Sequence, residues 1–469
     1  MWLLTDTTQL LYSATEPDAG RVSNTHTQSA FLPLLFRLLD IHTVRYCVLH
    51  SWADLPHRLS SDLDIAVHPH DRNGLVAVIG DLRAAGFPPI QIFDYSPGAH
   101  YFVFAWNATE KPGFACVDVL FEHWRSGLQA ATLGQITASR QRERGFWVSA
   151  PHIEFSYLLA KRTWKGVISA PQTRRIKELA HSLGPQRAKE IIGETFLEPW
   201  RGRVLAGCME GNLACVLSEV RRIPWLTSAV SQPLNLARFL ARDAFRRVQR
   251  WVNPTGLLVA VLGTDGTGKS TPIGHLQSQL APAFRRVKRL HWAPRVVIPL
   301  RDAAKHTNPH SKPIRGRLLS SCFLMAVVID YWLGFLFSLG RCRARSHLIL
   351  FDRYFHDVLV DPRRYRYGGP RWLAFSMARF IPRPDLVLIL DANERVIAGR
   401  KAELPLHEIL RQRRAYMDLQ FPSAVKIAVN TETDEDATQS YVSGAIVGHL
   451  ARRFEIHHPE WLPRTEPSA

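Results

Sequence analysis

The sequence has few cysteines and few carboxylates for its length. Six cysteines occur in 469 residues, none in a CxxC pair and none grouped as metal ligands would be. We therefore expect a protein of the reducing cytoplasm, without a disulfide framework. Asp and Glu number 41 against 59 Lys and Arg, which leaves a formal charge of +18. This surplus favours anionic partners such as nucleotides, an acidic glycan or a membrane surface, or it reflects a generally basic proteome.

Recognition motifs for nucleic acid and long apolar runs are also scarce. No motif combines basic and aromatic residues in the way that nucleic-acid binding requires, so a nucleic-acid partner is not expected. The N-terminal MWLLTDTTQLLYS has no basic stretch and no long apolar core, so a secretory signal is not expected either.

One apolar segment, 318–340, is long enough to span a bilayer and is followed by the basic RCRAR. Asp330 and Tyr331 lie in its middle, where a charge is costly in lipid. We predict a buried helix, or two helical pieces, inside a soluble domain. A membrane span, or peripheral membrane contact, is the alternative.

The chain has no internal repeat and no low-complexity tract, and its length is sufficient for two or three domains. Residues 1–150 mix strand-like and helix-like runs, and residues 151–250 have mostly helical periodicity. In residues 251–455, short apolar strands alternate with helical stretches, which indicates an α/β domain with a parallel sheet flanked by helices. Residues 456–469 are predicted to be a loose tail. The oligomeric state is left open.

One predicted helix, LARFLARDAFRRVQRWV, carries an arginine at every fourth position. The stripe consists of Arg238, Arg242, Arg246 and Arg250. Such a stripe is expected to be a solvated face, and attachment to a membrane surface is the alternative.

The stretch GTDGTGKST, residues 263–271, satisfies the GxxxxGK[ST] pattern of a phosphate-binding loop. A predicted strand, LLVAVLG, precedes it and a predicted helix follows, as the pattern requires. The glycines let backbone N–H groups turn toward phosphates. Lys269 is expected to meet the outer phosphates of ATP, and the hydroxyl of Ser270 to bind Mg²⁺. The predicted cofactor-binding residues are Gly263, Asp265, Gly266, Gly268, Lys269, Ser270 and Thr271.

Two further segments fit the same site. The apolar strand in HLILFDRYFHD ends in Asp352, at the sheet edge where ligands of parallel sheets collect, and a second metal-binding oxygen is expected there. Arg353 follows, and its guanidinium matches phosphate. Basic side chains after the strand DLVLILD are candidate lid cations, or surface charges: Arg395, Arg400, Lys401, Arg411, Arg413 and Arg414. Among them, Arg400 and Arg411 are preferred.

The loop GTDGTGKST, the FDRY motif and a basic segment ending in a Tyr-containing helix together resemble the thymidylate kinase family of P-loop nucleoside monophosphate kinases, over about residues 256–455. The resemblance implies an ATP- and Mg²⁺-dependent kinase. It also implies that Asp265 faces a sugar hydroxyl of the acceptor and that Arg353 contacts the acceptor phosphate. The catalytic residues would then be Lys269, Asp352, Arg353 and Arg400.

Two segments depart from that family. VLVDPRRYRYGGPRW follows FDRYFHD where the family has a Ser and a Tyr-Gln pair, and the segment 295–317 has six Lys or Arg against one Asp. Either the two segments are solvated loops, or they rebuild the pocket for another anionic acceptor such as a phosphorylated sugar or glycan. In the second case the chain resembles thymidylate-kinase-like companions of bacterial surface polysaccharide synthesis. The acceptor is left open between a nucleoside monophosphate and a sugar.

A second set of acids lies in the N-terminal half. Asp62 and Asp64 alternate along a predicted strand and therefore point to one face, and Asp118 lies in the strand ACVDVLF. Three acids on neighbouring strands can hold Mg²⁺ for nucleotidyl transfer. The arrangement resembles the nucleotidyltransferase fold of the polymerase beta type, with Ser51 at the position of that family's Gly-Ser turn. His50 replaces the glycine that lets the triphosphate approach in that family.

Because of His50, we expect an α+β domain that is folded but altered, with an active transferase and an ordinary structural Asp pair as alternatives. Lys161 and Lys165, in the helical segment, are candidate nucleotide contacts or plain surface charges. Three functions of the whole chain stay open. They are a kinase, which is preferred, a bifunctional enzyme with nucleotidyltransferase activity, and a non-enzymatic ATP-binding scaffold at a membrane-proximal assembly.

Overall fold

The computed structural model describes residues 28–59, 62–106, 111–122, 124–125, 128–129, 133–220, 223–296, 313–401, 404–432 and 434–463. They divide into two compact units. The N-terminal unit comprises 26–108, 113–252 and 447–469, and the C-terminal unit is formed mainly by 253–446. In this division the long C-terminal helix, Glu435–His457, begins in the C-terminal unit and ends in the N-terminal unit.

The N-terminal unit is built on a mixed seven-stranded sheet of order β3-β4-β5-β2-β1-β9-β8. Strands β2 and β5 pair in parallel, and Asp64 lies opposite Asp118 in their register. The strands of this unit are β1 (Tyr46–Val48), β2 (Leu63–Val67), β3 (Pro89–Ser96), β4 (Ala99–Trp106), β5 (Gly113–Leu120), β6 (Trp124–Arg125), β7 (Leu128–Gln129), β8 (Gln141–Glu143) and β9 (Phe146–Val148). Strands β6 and β7 form a separate pair.

Three helices accompany this sheet: α1 (Gln28–Ile41), α2 (Arg72–Ala84) and α3 (Leu133–Ala138). Apolar side chains of α1 and α2, among them Phe31 and Leu82, form a core with the sheet. Trp461, which lies in the predicted loose tail, is buried in the same core. Its ring meets that of Phe102 edge-on at 5.0 Å, and the guanidinium of Arg72 lies 4.5 Å from its centre. The described part of the predicted loose tail, 456–463, is therefore held against this unit by a large buried aromatic side chain.

The helical segment has a core of its own, formed by residues such as Phe155, Ile176 and Ile192. The final helix is the longest and crosses toward β3, where it donates hydrogen bonds to the carbonyl oxygen of Asp94. The helices are α4 (Pro151–Lys165), α5 (Ala170–Leu183), α6 (Pro185–Gly193), α7 (Trp200–Glu210), α8 (Leu213–Val220), α9 (Ile223–Ser231) and α10 (Pro233–Val252).

The C-terminal unit has a five-stranded sheet of order β11-β12-β10-β13-β14, and every pair is parallel. The strands are β10 (Leu257–Leu262), β11 (Arg286–His291), β12 (His347–Asp352), β13 (Leu386–Asp391) and β14 (Val425–Asn430). The central strand β10 is buried at every residue, as a parallel strand covered by helices on both faces must be. The predicted α/β architecture of this part of the chain is confirmed.

The helices of the C-terminal unit connect these strands. They are α11 (Ser270–Gln279), α12 (Arg317–Gly334), α13 (Gly340–Ala344), α14 (Asp357–Val360), α15 (Arg371–Ala378), α16 (Glu394–Arg400), α17 (Leu406–Asp418) and α18 (Glu435–His457). A single π-helical turn, Phe335–Leu339, joins α12 to α13.

Within the described residues, one helix, Arg317–Ala344, is long and apolar enough to cross a membrane by length and composition. One face of it is buried, and Asp330 on that face accepts hydrogen bonds from the backbone N–H groups of Arg295 and Val296 at 2.8 and 2.7 Å. The other face leaves side chains such as Leu318 and Phe337 exposed. The predicted buried helix is thus buried on one side only. The charge of Asp330 in the middle of this apolar helix is accommodated because its carboxylate accepts two backbone hydrogen bonds.

Candidate phosphate-binding site and a second carboxylate cluster

The loop between β10 and α11 has the backbone that only glycine adopts easily. Gly266 and Gly268 have φ angles of 92° and 77°. A Cβ atom on Gly266 would lie 2.8 Å from the carbonyl oxygen of Ile397, which is too close for any side chain. The sequence motif therefore corresponds to a tight turn whose N–H groups are free of side-chain bulk.

Lys269 is buried beneath this loop. Its Nζ donates to the carbonyl oxygens of Gly263 and Thr264 at 2.8 and 2.7 Å. Burial, together with the nearby positive charge of Arg353, lowers the pKa of Lys269 to about 8. The lowered pKa means that the charged form of this ammonium group is held less firmly than in water, so an added anion would stabilise it.

Asp265 is the centre of a cluster of cations. Its carboxylate accepts hydrogen bonds from Arg353 and Arg364, and the Nζ atoms of Lys269 and Lys401 lie 3.6 and 4.0 Å away. Burial alone would raise the pKa of Asp265, but the surrounding cations outweigh it and lower the pKa well below its usual range. The structure thus pairs this acid with two guanidinium groups, where the resemblance implied a sugar hydroxyl.

Arg353 follows β12 in a left-handed backbone conformation, with a φ of 71°. This conformation is uncommon outside glycine and is concentrated at functional sites. The backbone N–H of Arg353 donates to the carbonyl oxygen of Val261 at 2.9 Å, which fixes the turn against β10. The side chain is buried between Asp265 and Asp357, and these two carboxylates raise the pKa of the guanidinium against the lowering effect of burial. Its charge is therefore permanent.

Asp357 completes this arrangement and was not among the predicted site residues. It is fully buried, and the hydroxyl groups of Tyr416 and Tyr365 donate to it at 3.0 and 3.2 Å. Arg364 belongs to the run VLVDPRRYRYGGPRW, which the sequence predicts to be either a solvated loop or part of a rebuilt acceptor pocket, and it is not singled out there. The FHD that follows the FDRY motif could have indicated Asp357, but no local pattern indicates that Arg364 reaches the loop.

Asp352 lies opposite Val261 in the register of β10 and β12, so its carboxylate is at the same edge of the sheet as the loop. Arg289 donates to its Oδ2 at 3.1 Å. Ser270 and Thr271 open α11 and are exposed. A hydroxyl and a carboxylate at one sheet edge are the oxygen donors that Mg²⁺ takes, so this donor set fits the metal.

The candidate lid cations are placed differently from one another. Arg400 ends α16 beside the loop, where its Nη1 would be 3.8 Å from a Cβ atom on Gly268. Arg411 donates to the carbonyl oxygen of Val360 at 2.7 Å and pairs with Glu408. Arg413 pairs with two acids, Asp391 and Glu394. The structure therefore brings Arg400 to the loop and ties Arg413 to neighbouring elements. Among the described residues, no hydrogen bond or ion pair joins the side chain of Arg395 or Arg414 to the loop.

Most of the predicted basic segment, 295–317, lies outside the described residues, as does the N-terminal segment 1–13. Arg315, which is described, donates to the carbonyl oxygen of Tyr365 at 2.9 Å, and its guanidinium lies 4.2 Å from the ring centre of Phe323. At least this residue of the segment is packed against the DPRRYRYGGP run.

The acids of the N-terminal unit also come together. Asp62, Asp64 and Asp118 each offer a carboxylate oxygen, and these oxygens lie within 4.8 Å of one another. The Tyr95 hydroxyl donates to both oxygens of Asp118, at 2.8 and 2.7 Å. By spacing alone, the cluster could hold a metal ion.

Asp64, however, is already neutralised by the protein. Lys161 Nζ lies 2.5 Å and the Tyr157 hydroxyl 2.7 Å from its Oδ1, and His50 Nε2 lies 2.8 Å from its Oδ2. Burial alone would raise the pKa of Asp64, but His50 and Lys161 outweigh it and lower the pKa well below its usual range. The ammonium group of Lys161 already supplies the positive charge that a metal would bring to Asp64, and the buried Oδ2 faces His50 without a hydrogen bond, so the cluster fits Mg²⁺ poorly. Lys165, one turn further along α4, is exposed.

The turn before this cluster keeps one feature of the polymerase beta resemblance. Ser51 has a φ of 58°, a left-handed conformation, at the position of the expected Gly-Ser turn. His50 Nδ1 lies 2.6 Å from the Ser51 hydroxyl, and its other nitrogen faces Asp64. His50, at the position where the resemblance implies a glycine, therefore lies between Ser51 and Asp64.

Comparison with known proteins found similarity to thymidylate kinases. The thymidylate kinase of Xanthomonas campestris pv. campestris (strain B100) is 26% identical over 213 residues, which are 44% of this chain and 89% of that protein. The thymidylate kinase of Xanthomonas oryzae pv. oryzae (strain PXO99A) is 27% identical over 211 residues, which are 43% of this chain and 88% of that protein. A crystal structure of thymidylate kinase from Ehrlichia chaffeensis matches with a TM-score of 0.31 and 14% identity, covering 41% of this chain and all of that one. No protein-family model matches the chain.

Proposed function

We propose that the chain is an ATP- and Mg²⁺-dependent kinase that transfers the γ-phosphoryl group of ATP to a nucleoside monophosphate. The observation that carries the proposal is the complete phosphate-binding loop with the buried Arg353 fixed beside it by Asp265. The similarity to thymidylate kinases over 44% of the chain supports a nucleoside monophosphate as the acceptor.

Each residue of the site has a distinct part in this proposal. The backbone N–H groups of the loop surround the phosphates of ATP, and Lys269 neutralises their outer charge. Ser270 and Asp352 would hold Mg²⁺, which would supply positive charge beside the transferred phosphoryl group. Arg353 binds the acceptor phosphate, and Arg400 reaches the loop from α16. Phosphoryl transfer needs positioning and charge neutralisation more than a covalent nucleophile, and the site contains the groups for both.

Asp265 has a different part from the one that the resemblance implied. Its carboxylate holds Arg353 and Arg364 close together although both carry positive charge. Two guanidinium groups held in this way offer planar donor pairs that match a phosphate, while Asp265 and Asp357 balance their charge. The surplus positive charge that suits the dianionic phosphate of a nucleoside monophosphate comes from Lys269 and Lys401. A phosphorylated sugar carries the same phosphate group. The enzyme would therefore distinguish the two acceptors by the part of each molecule that lies outside the phosphate.

The test is the release of ADP from ATP in the presence of candidate acceptors. We expect turnover with dTMP or another nucleoside monophosphate, and its loss in Lys269→Ala. Lys189→Ala, which removes an exposed lysine of α6, is the matched control and should keep full activity. If only phosphosugars support turnover, the acceptor is a phosphorylated sugar and the proposal of a nucleoside monophosphate is wrong. Equal turnover in Lys269→Ala and the control would refute the kinase.

The N-terminal acids do not lead us to propose a second activity. Their spacing favours a metal, but Lys161 and His50 already compensate Asp64. We therefore propose that this unit is folded and does not transfer nucleotidyl groups. Pyrophosphate release from a nucleoside triphosphate, lost in Asp62→Ala with Asp64→Ala and kept in Lys269→Ala, would contradict this and make the chain bifunctional.

A further inference from the structure

Helix α10 (Pro233–Val252) presents an uncovered apolar face. Its exposed apolar side chains are large, and the central Phe245 is 65% exposed and the terminal Val252 71% exposed. With 3.6 residues per turn, these side chains fall along one side of the helix over its whole length. The set consists of Leu234, Leu240, Phe245, Val248, Trp251 and Val252.

The opposite side of α10 attaches the helix to its unit. Phe239 and Asp243 are buried there. Arg246 and Arg250 donate to the carbonyl oxygen of Asp94 at 2.6 and 3.2 Å. Half of the arginine stripe expected to be solvated thus points inward, and the apolar side faces out. The orientation is set by these polar contacts, so the exposed apolar face is a fixed feature of the fold.

Arginines border the exposed face on both sides. Arg238 and Arg242 follow one edge, and Arg247, which is 73% exposed on its side chain, lies beyond the other. Arg242 pairs with Glu122 and Arg247 pairs with Asp243, but the side chains of both arginines stay 48% and 73% exposed. An apolar band between cationic borders matches a surface that is apolar inside and anionic outside, which is the interface of an anionic lipid layer.

We propose that α10 lies flat on an anionic lipid surface, with Phe245 and Val248 inserted among the acyl chains and Arg238 and Arg247 on the headgroups. Five arginines in this helix make a membrane-crossing orientation too costly, so the helix lies on the membrane and does not span it. The net charge of +18 favours the same surface. A second copy of the chain carries the same arginines, so a like-charged copy fits the borders less well than anionic headgroups do.

Flotation of the purified full chain with vesicles tests the proposal. We expect binding to vesicles of phosphatidylcholine mixed with phosphatidylglycerol and much weaker binding to phosphatidylcholine alone. Phe245→Ser with Val248→Ser should weaken binding to the mixed vesicles by about tenfold or more, since two apolar side chains no longer insert. Phe245→Leu with Val248→Leu keeps the apolar surface and is the matched control. Arg238→Gln should weaken binding about fivefold, and only on the anionic vesicles.

The results of these experiments distinguish a lipid surface from a second copy of the chain as the partner of the apolar face of α10. All three variants change exposed side chains, so circular dichroism and melting temperature should match those of the wild type. Absence of wild-type flotation on the mixed vesicles, or equal flotation of the serine and leucine variants, overturns the proposal. So does light scattering that shows a dimer of the wild type and monomers of the serine variant, because the face would then belong to a second copy. Kinase activity in solution is independent of all these results.

Discussion

Arg364 donates a hydrogen bond to Asp265 although the two residues are 99 positions apart in the chain. The contact joins the DPRRYRYGGP run, which departs from the thymidylate kinase pattern, directly to the phosphate-binding loop. The departing segment therefore contacts the loop and is more than a change on a solvated surface. Arg353, on the same carboxylate, makes the pair of guanidinium groups that the proposed acceptor site requires.

Replacing Arg364 by glutamine should weaken acceptor binding specifically. A charge-assisted hydrogen bond contributes about 1.5–3 kcal/mol, so the KM for the acceptor should rise about tenfold or more. The KM for ATP should change little, because Lys269 and the loop backbone are intact. Steady-state kinetics with each substrate varied in turn measures both. Arg363→Gln, an exposed neighbour, is the control, and equal effects from both variants would remove Arg364 from the site.

The pKa of Lys269, lowered to about 8, predicts proton uptake when ATP binds. Above pH 8 much of this lysine is neutral in the free protein, and the phosphates of ATP favour its charged form. Binding should therefore take up protons above about pH 8, and affinity for ATP should fall as the pH rises through this range. Calorimetry in two buffers of different ionisation enthalpy measures the uptake. The same binding enthalpy in both buffers at pH 8.5 would contradict the lowered pKa.

The buried ion pair of Lys161 and Asp64 leads us to expect that removing one partner destabilises the protein more than removing both. Lys161→Met leaves a buried carboxylate without its cation and should lower the free energy of unfolding by about 3–5 kcal/mol. Adding Asp64→Asn removes the unpaired charge and should restore part of that loss. Urea denaturation measures the wild type, the single variants Lys161→Met and Asp64→Asn, and the double variant. Lys165→Met, an exposed lysine on the same helix, is the control. A double variant as unstable as the sum of its single changes would show that the two residues are not coupled.

Asp64 also predicts an acid-sensitive contribution to stability. Its pKa is lowered in the folded protein, so its stabilising contribution is complete above the unfolded pKa of about 3.9 and is lost as the pH falls below it. The wild type should therefore lose more stability than Asp64→Asn with Lys161→Met between neutral pH and the acid range. Melting temperatures across that range measure the difference, and parallel curves for the two proteins would argue against a lowered pKa.

Asp330, inside helix α12, is expected to stabilise the folded protein through the two backbone N–H groups that donate to it. Asp330→Ala leaves the backbone N–H groups of Arg295 and Val296 without their acceptor, which should cost about 2–4 kcal/mol of unfolding free energy. Asp330→Asn keeps one acceptor oxygen and should cost less. Thermal unfolding compares the two, and the same melting temperature for wild type and Asp330→Ala would contradict the assignment.

Local patterns predicted much of the C-terminal unit. The loop motif and the strand ending in Asp352 depend on residues that are adjacent in sequence, so their geometry follows from the motif itself. The contacts that sequence could not predict join distant positions. Lys161 reaches Asp64 across 97 residues, and its charge pattern is that of any surface lysine. The arginine stripe of α10 was evident, but its orientation depends on a carbonyl oxygen of β3 that no periodicity reveals.

Trp461 and Phe454 belong to the core of the N-terminal unit but are among the final residues of the described chain. A ribosome adds them only after it has synthesised the whole of segment 253–446, which forms most of the C-terminal unit. The N-terminal unit therefore cannot close its core during its own synthesis, although domains generally fold in the order in which they are made. Folding of the N-terminal unit can therefore finish only after the C-terminal unit has been synthesised. A chain cut short after the C-terminal unit would leave an open hydrophobic core at its beginning.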